Sequence, residues 1–108
     1  NRLRAVDVIC RYGGEEFVVA LPSTTLQAAH EIAERLRLAI CSTPMSFLNK
    51  QFKVSISIGM ASLRGLLTAQ QHDVDFICST LLDSADKALY EAKEGGRNQV
   101  AVYVNRIL

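Results

Sequence analysis

Two adjacent glycines, Gly13 and Gly14, constrain this chain more than any other feature. Before them the sequence alternates, with Val6, Val8, Cys10 and Tyr12 set against Asp7, Ile9 and Arg11; after them, residues 17–21 form a continuous apolar run. Such a pattern predicts an antiparallel β-hairpin with Gly13-Gly14 at its tip. Glycine accepts positive φ there and leaves no side chain between the backbone N–H groups and an approaching ligand, which opens an anion-sized gap. Glu15 and Glu16 come next, and because side chains alternate along a strand, only one of them can face a ligand above the turn. Bare backbone donors beside a hard oxygen ligand suit a magnesium-bound polyphosphate. A plain hairpin with solvated glutamates has the same local pattern, so the rest of the chain has to decide.

The 108 residues allow one domain or part of one, and the 49% hydrophobic content is enough for a modest core. A net charge of +1 gives no general attraction to nucleic acid or membrane, so any anion binding is local. Cys10, Cys41 and Cys78 are far apart and lack metal-type spacing; an odd count of this kind points to reduced thiols filling a core. The longest uncharged stretches are too short to cross a bilayer, and no secretory signal is read at the start. The expectation is a soluble cytoplasmic domain, with residues 1–7 entering the first strand as though from a longer chain.

Further along, Pro22 ends the second strand and Thr24 with Gln27 matches a capping box. Leu26, Ala29, Ile32, Ala33, Leu36 and Ile40 then make an amphipathic helix whose outer face carries Glu31, Glu34, Arg35 and Arg37, with Glu31 and Arg35 spaced to pair. Thr43-Pro44 stops it. A second hairpin is predicted from residues 45–48 through Asn49-Lys50-Gln51 into a strand over 52–63, in which Gly59 marks a bulge or a close approach. Residues 64–79 read as a loop with a short helical turn near 75–78. Thr80 with Asp83 caps a second amphipathic helix, Gly95-Gly96 ends it, and residues 100–104 form a last strand. This order predicts an α+β domain, an antiparallel sheet with helices on its faces.

Three motifs in this order carry a resemblance: Arg11-Tyr12-Gly13-Gly14-Glu15-Glu16-Phe17, then Val54-Ser55-Ile56-Ser57-Ile58-Gly59, then residues 85–98 with Lys93, Gly95, Gly96, Arg97 and Asn98. Together they resemble the C-terminal two-thirds of the GGDEF domain, the diguanylate cyclase domain of bacterial signalling. The resemblance implies a fold like that of nucleotide cyclases and polymerase palms. It also implies a nucleotidyltransferase that condenses two GTP into cyclic di-GMP and two pyrophosphates across a homodimer, each subunit carrying half of the site. By that resemblance Glu15 and Glu16 are the catalytic carboxylates. Glu15 is the ligand of Mg²⁺, or Mn²⁺, and helps deprotonate the attacking 3′-hydroxyl; Glu16 touches the second metal or the substrate, or pairs with a neighbouring base. Gly13 and Gly14 form the turn over which the nucleotide lies, and Lys93 and Arg97 hold the terminal phosphates. In-line attack at a phosphate develops negative charge, which calls for a metal and fixed cations. Cations at a helix C-terminus are also favoured by the helix dipole alone.

Upstream, Arg4 and Asp7 stand as Arg-x-x-Asp, ending five residues before Gly13, and resemble the family's product-inhibition site; Arg35 matches the arginine that a neighbouring subunit adds. An arginine fork suits guanine N7/O6 or phosphate, and an aspartate accepts from the guanine edge. The family's N-terminal strand, with a second metal-binding aspartate, and the helix that reads guanine have no counterpart in these 108 residues. In the family that strand lies between the signature hairpin and the strand over 52–63, so two unpaired edges are expected. The expectations are therefore a partial GGDEF domain over 1–108, a parent cyclase with product feedback, and no cyclic di-GMP synthesis by this chain alone. The rival is a catalytically idle receptor module that binds cyclic di-GMP.

Overall fold

The computed structural model describes residues 8–13, 16–63 and 73–103. In chain order they form β1 (Val8–Gly13), β2 (Glu16–Ala20), α1 (Leu26–Cys41), β3 (Met45–Phe47), β4 (Lys50–Phe52), β5 (Ile58–Met60), α2 (Val74–Glu94) and β6 (Val100–Val102). The class is α+β, as the alternation of hairpins and amphipathic helices predicts.

The strands pair as three separate two-stranded ladders: β1 with β2 and β3 with β4 antiparallel, β5 with β6 parallel. The parallel pair departs from the all-antiparallel expectation. It follows from connectivity, because the α2 crossover between β5 and β6 returns the chain in the same direction. The two helices flank β5–β6, with α2 running along both strands and α1 touching them without meeting α2.

This body is held by close approach rather than by large side chains. Ser84, Ala88 and Ala92, the buried residues among those described, stand at four-residue steps on one stripe of α2. Small side chains there let β5 come close, and Gly59 is where it comes closest: a Cβ at that position would lie 2.2 Å from the Leu89 backbone nitrogen and 2.3 Å from the Ala85 carbonyl oxygen. Of the two expectations for Gly59, the close approach is the one realised.

Local chemistry explains where α1 begins and ends. Thr25, not Thr24, is the N-cap: its hydroxyl accepts from the Ala28 N–H at 3.1 Å, while the Thr24 hydroxyl donates to the Pro22 carbonyl at 2.9 Å. At the other end the Ser42 and Thr43 hydroxyls donate to the Leu38 and Ala39 carbonyls of the last turn, the Leu38 carbonyl accepting the Ser42 N–H as well. Glu31 and Arg35 do not pair; the ion pair on this face joins Glu34 and Arg37.

Three further boundaries differ from the sequence reading. The second hairpin turns at Leu48-Asn49, both with positive φ (51° and 64°), so Lys50 and Gln51 already belong to β4. Residues 53–57 join no ladder, which breaks the strand expected over 52–63; their alternation marks a face, but a ladder needs a partner, and none of the described strands lies beside them. Finally, α2 starts at Asp73, whose carboxylate accepts from the Phe76 N–H at 2.7 Å. This true cap turns the expected Thr80–Asp83 cap into helix interior. The helical turn foreseen near 75–78 is the first part of α2; residues 64–72, read as loop, lie outside those described.

Candidate functional site

The hairpin β1–β2 carries the first motif. Gly13 pairs with Glu16, and the register slips by one between Arg11 and Gly13, a β-bulge on the glycine strand. Gly13 is thus a ladder residue rather than the tip expected of it. Gly14 and Glu15, as well as Arg4 and Asp7, lie outside the described residues. Glu16 opens β2 and is half-buried.

The third motif is more than seventy positions away, at the end of α2. Gly95 caps the helix, its N–H bonded to the Glu91 carbonyl at 2.8 Å, and Gly96 takes φ 117°, a value that favours glycine. The Arg97 N–H reaches back to the Ala92 carbonyl at 2.9 Å, so the chain turns sharply under the last helical turn. Arg97 and Asn98 are both left-handed (φ 63° and 48°). Lys93 sits in that last turn, where the helix dipole favours a cation.

The two motifs meet. The Lys93 ammonium lies 3.6 Å from Glu16 Oε2, with about a third of each side chain exposed. A pair so open to solvent contributes at most about 1 kcal/mol, so its importance is positional. Among the described residues it is the ion pair that ties the β1–β2 hairpin to the helical body. Of the roles open to Glu16, pairing with a neighbouring base is the one seen. The Arg97 guanidinium makes no ion pair among the described residues, and Arg35 is exposed on α1.

Residues 1–99 match the family described as diguanylate cyclase, GGDEF domain. The chain belongs to the GGDEF family. Among curated relatives it is 39% identical over 102 residues to the diguanylate cyclase DgcP of Pseudomonas aeruginosa, an alignment covering 94% of this chain and 14% of DgcP. Among solved structures it is similar to the active GGEEF domain of a diguanylate cyclase from Vibrio cholerae, with a TM-score of 0.78, 28% identity, and coverage of 96% of this chain and 60% of that one. It is equally similar in shape to the GGDEF domain of DgcB from Caulobacter crescentus in complex with c-di-GMP, with a TM-score of 0.78, 25% identity, and coverage of 94% and 56%. The α+β fold of this GGDEF chain is therefore the cyclase-domain fold, and the chain spans a small part of DgcP and over half of each of the two solved chains.

The described residues include no group of three or more His, Cys, Asp or Glu side chains able to hold a metal. Glu16 is engaged with Lys93, and Glu15, the hairpin's other carboxylate, lies outside the described residues. The described residues contain no helix long and apolar enough to cross a membrane.

Sequence reasoning missed one cluster beside the site. Arg37 of α1 donates from Nη1 to Asn98 Oδ1 (3.0 Å) and to the Asn98 carbonyl (3.2 Å), and the Asn98 N–H donates to Ser57 Oγ at 3.1 Å. Asn98 lies within the third motif and Ser57 within the second, but a contact spanning 61 positions leaves no trace in local periodicity.

Proposed function

We propose that this GGDEF chain supplies the phosphate-holding half of a diguanylate cyclase site, in a parent enzyme that condenses two GTP into cyclic di-GMP and two pyrophosphates across a homodimer in the cytoplasm. The observation that carries the reading is the 3.6 Å approach of Lys93 to Glu16, which joins the signature hairpin to the end of α2. An ammonium there, with Arg97 four positions on, offers two fixed charges to the β- and γ-phosphates of a nucleotide laid over Gly13 and Gly14. Glu15 is the residue that would hold Mg²⁺ or Mn²⁺. Held there, such an ion would supply positive charge against that of the phosphates. Glu16 serves by placing Lys93. Arg4, Asp7 and Arg35 form the product-inhibition site, where arginine forks and a carboxylate suit the two guanines and phosphates of cyclic di-GMP.

The 108 residues alone make no cyclic di-GMP, because the resemblance calls for a second metal-binding aspartate and a guanine-reading helix that this sequence does not contain. Incubation with GTP and Mg²⁺ followed by chromatography is the test; appreciable cyclic dinucleotide would overturn the assignment of the missing groups. Calorimetry with cyclic di-GMP, comparing the chain with Arg4→Ala, tests the inhibitory site. Tight product binding with no triphosphate binding would favour the idle receptor instead.

A further inference from the structure

Two consecutive left-handed residues other than glycine are favoured by an external hold, since this conformation crowds the Cβ of an L-residue against the following carbonyl oxygen. Arg97 and Asn98 form such a pair, and the structure shows the hold. The Arg37 guanidinium is engaged on both sides. Its Nε donates to Glu34 Oε1 at 2.6 Å and its Nη2 pairs with the same oxygen, while Nη1 takes both the side-chain and the backbone oxygen of Asn98. Glu34 thereby fixes the fork on α1. From the opposite side Ser57, just before β5, accepts the Asn98 N–H, and the Arg97 N–H is tied to Ala92. The turn that carries Arg97 is thus clamped from α1, from the approach to β5 and from the end of α2. Arg37 is half-buried, and its planar fork is something lysine cannot reproduce.

We infer that Arg37 is a positioning residue for polyphosphate binding: it holds the left-handed Arg97-Asn98 turn through Asn98, and so sets where the Arg97 charge stands relative to Lys93. This rests on the reading of Lys93 and Arg97 as the phosphate-holding cations. Arg37 itself need touch no ligand.

The test titrates inorganic triphosphate by calorimetry into the chain, Arg37→Ala, Arg37→Lys, Arg97→Ala and the Arg37→Ala/Arg97→Ala double variant, alongside amide hydrogen exchange followed by NMR. Arg37→Ala should weaken triphosphate binding about tenfold, the size of a lost charge-assisted hydrogen bond. Arg37→Lys should weaken it as much, since charge is kept and the fork lost. In the Arg97→Ala background the change at residue 37 should cost nothing further. Exchange at the Arg97 and Asn98 amides should quicken in Arg37→Ala while Ala88 and Ala92 stay protected. Full affinity in Arg37→Lys, or additive losses in the double variant, would overturn the inference, because Arg37 would then act by charge alone or through the whole fold. Unchanged exchange at Asn98 would overturn it too. If Arg97→Ala binds triphosphate as well as the parent chain, the phosphate-site reading itself falls and the positioning role falls with it; faster exchange in Arg37→Ala would then establish only a structural tie.

Discussion

The helical body and the signature hairpin are held in opposite ways. In the body, α2 lies so close to β5 that Gly59 has no room for a methyl group, and the contact is backbone against backbone. The β1–β2 hairpin has no described element packed against it: Phe17 is 66% exposed and Val19 is 40% exposed, and the tie to the body is one ion pair about a third exposed. The comparison teaches that stability and chemistry are assigned to different regions. The residues that make the fold sit on α2 and β5, whereas those proposed to meet the nucleotide stand on the β1–β2 hairpin and on the turn that ends α2.

That division predicts a graded set of effects. The largest belongs to Gly59→Val, where the added side chain would meet the backbone of α2; we expect a loss of about 3 kcal/mol in urea denaturation, the upper range for overpacking. A stability near that of the parent chain would show that the body is looser than described. Next, Lys93→Ala should reduce triphosphate binding about tenfold in calorimetry while changing stability by less than about 1 kcal/mol, because the ion pair it removes is exposed. A large fall in stability there would erase the contrast between the regions. Smaller again, Thr25→Ala removes the hydroxyl that caps α1 and should cost about 1 kcal/mol, read as a shift in the denaturation midpoint. Smallest of all, Phe17→Ser should stay within about 0.5 kcal/mol of the parent chain despite removing a large aromatic side chain. A larger loss would mean that the hairpin is packed against something in solution.

The same division governs what could be read from the sequence. The α+β class, the signature hairpin and both helices were legible because each rests on local periodicity or on turn chemistry, while Gly59 was open to a bulge or a close approach until β5 was seen against α2. The cap of α2 was misplaced by seven positions because Thr80 and Asp83 imitate a capping box inside a helix that Asp73 had already begun. The strand over 52–63 was overextended because alternation reports a face and says nothing of a partner. At the site, motif resemblance singles out Lys93 and Arg97, while the helix dipole alone also favours a cation in the last turn; the structure adds that Lys93 lies beside Glu16. Arg37 was visible only as a charge on an outer face. Its partners lie in other motifs, and no local pattern connects them.

Three two-stranded ladders have one more consequence. Among the described residues all six strands are edges, each with an outer flank of amides and carbonyls that no other described strand pairs. Such flanks are sticky to their own kind, so melting curves and binding isotherms taken at micromolar and at millimolar protein should disagree, and dilution becomes an experimental variable as informative as any substitution.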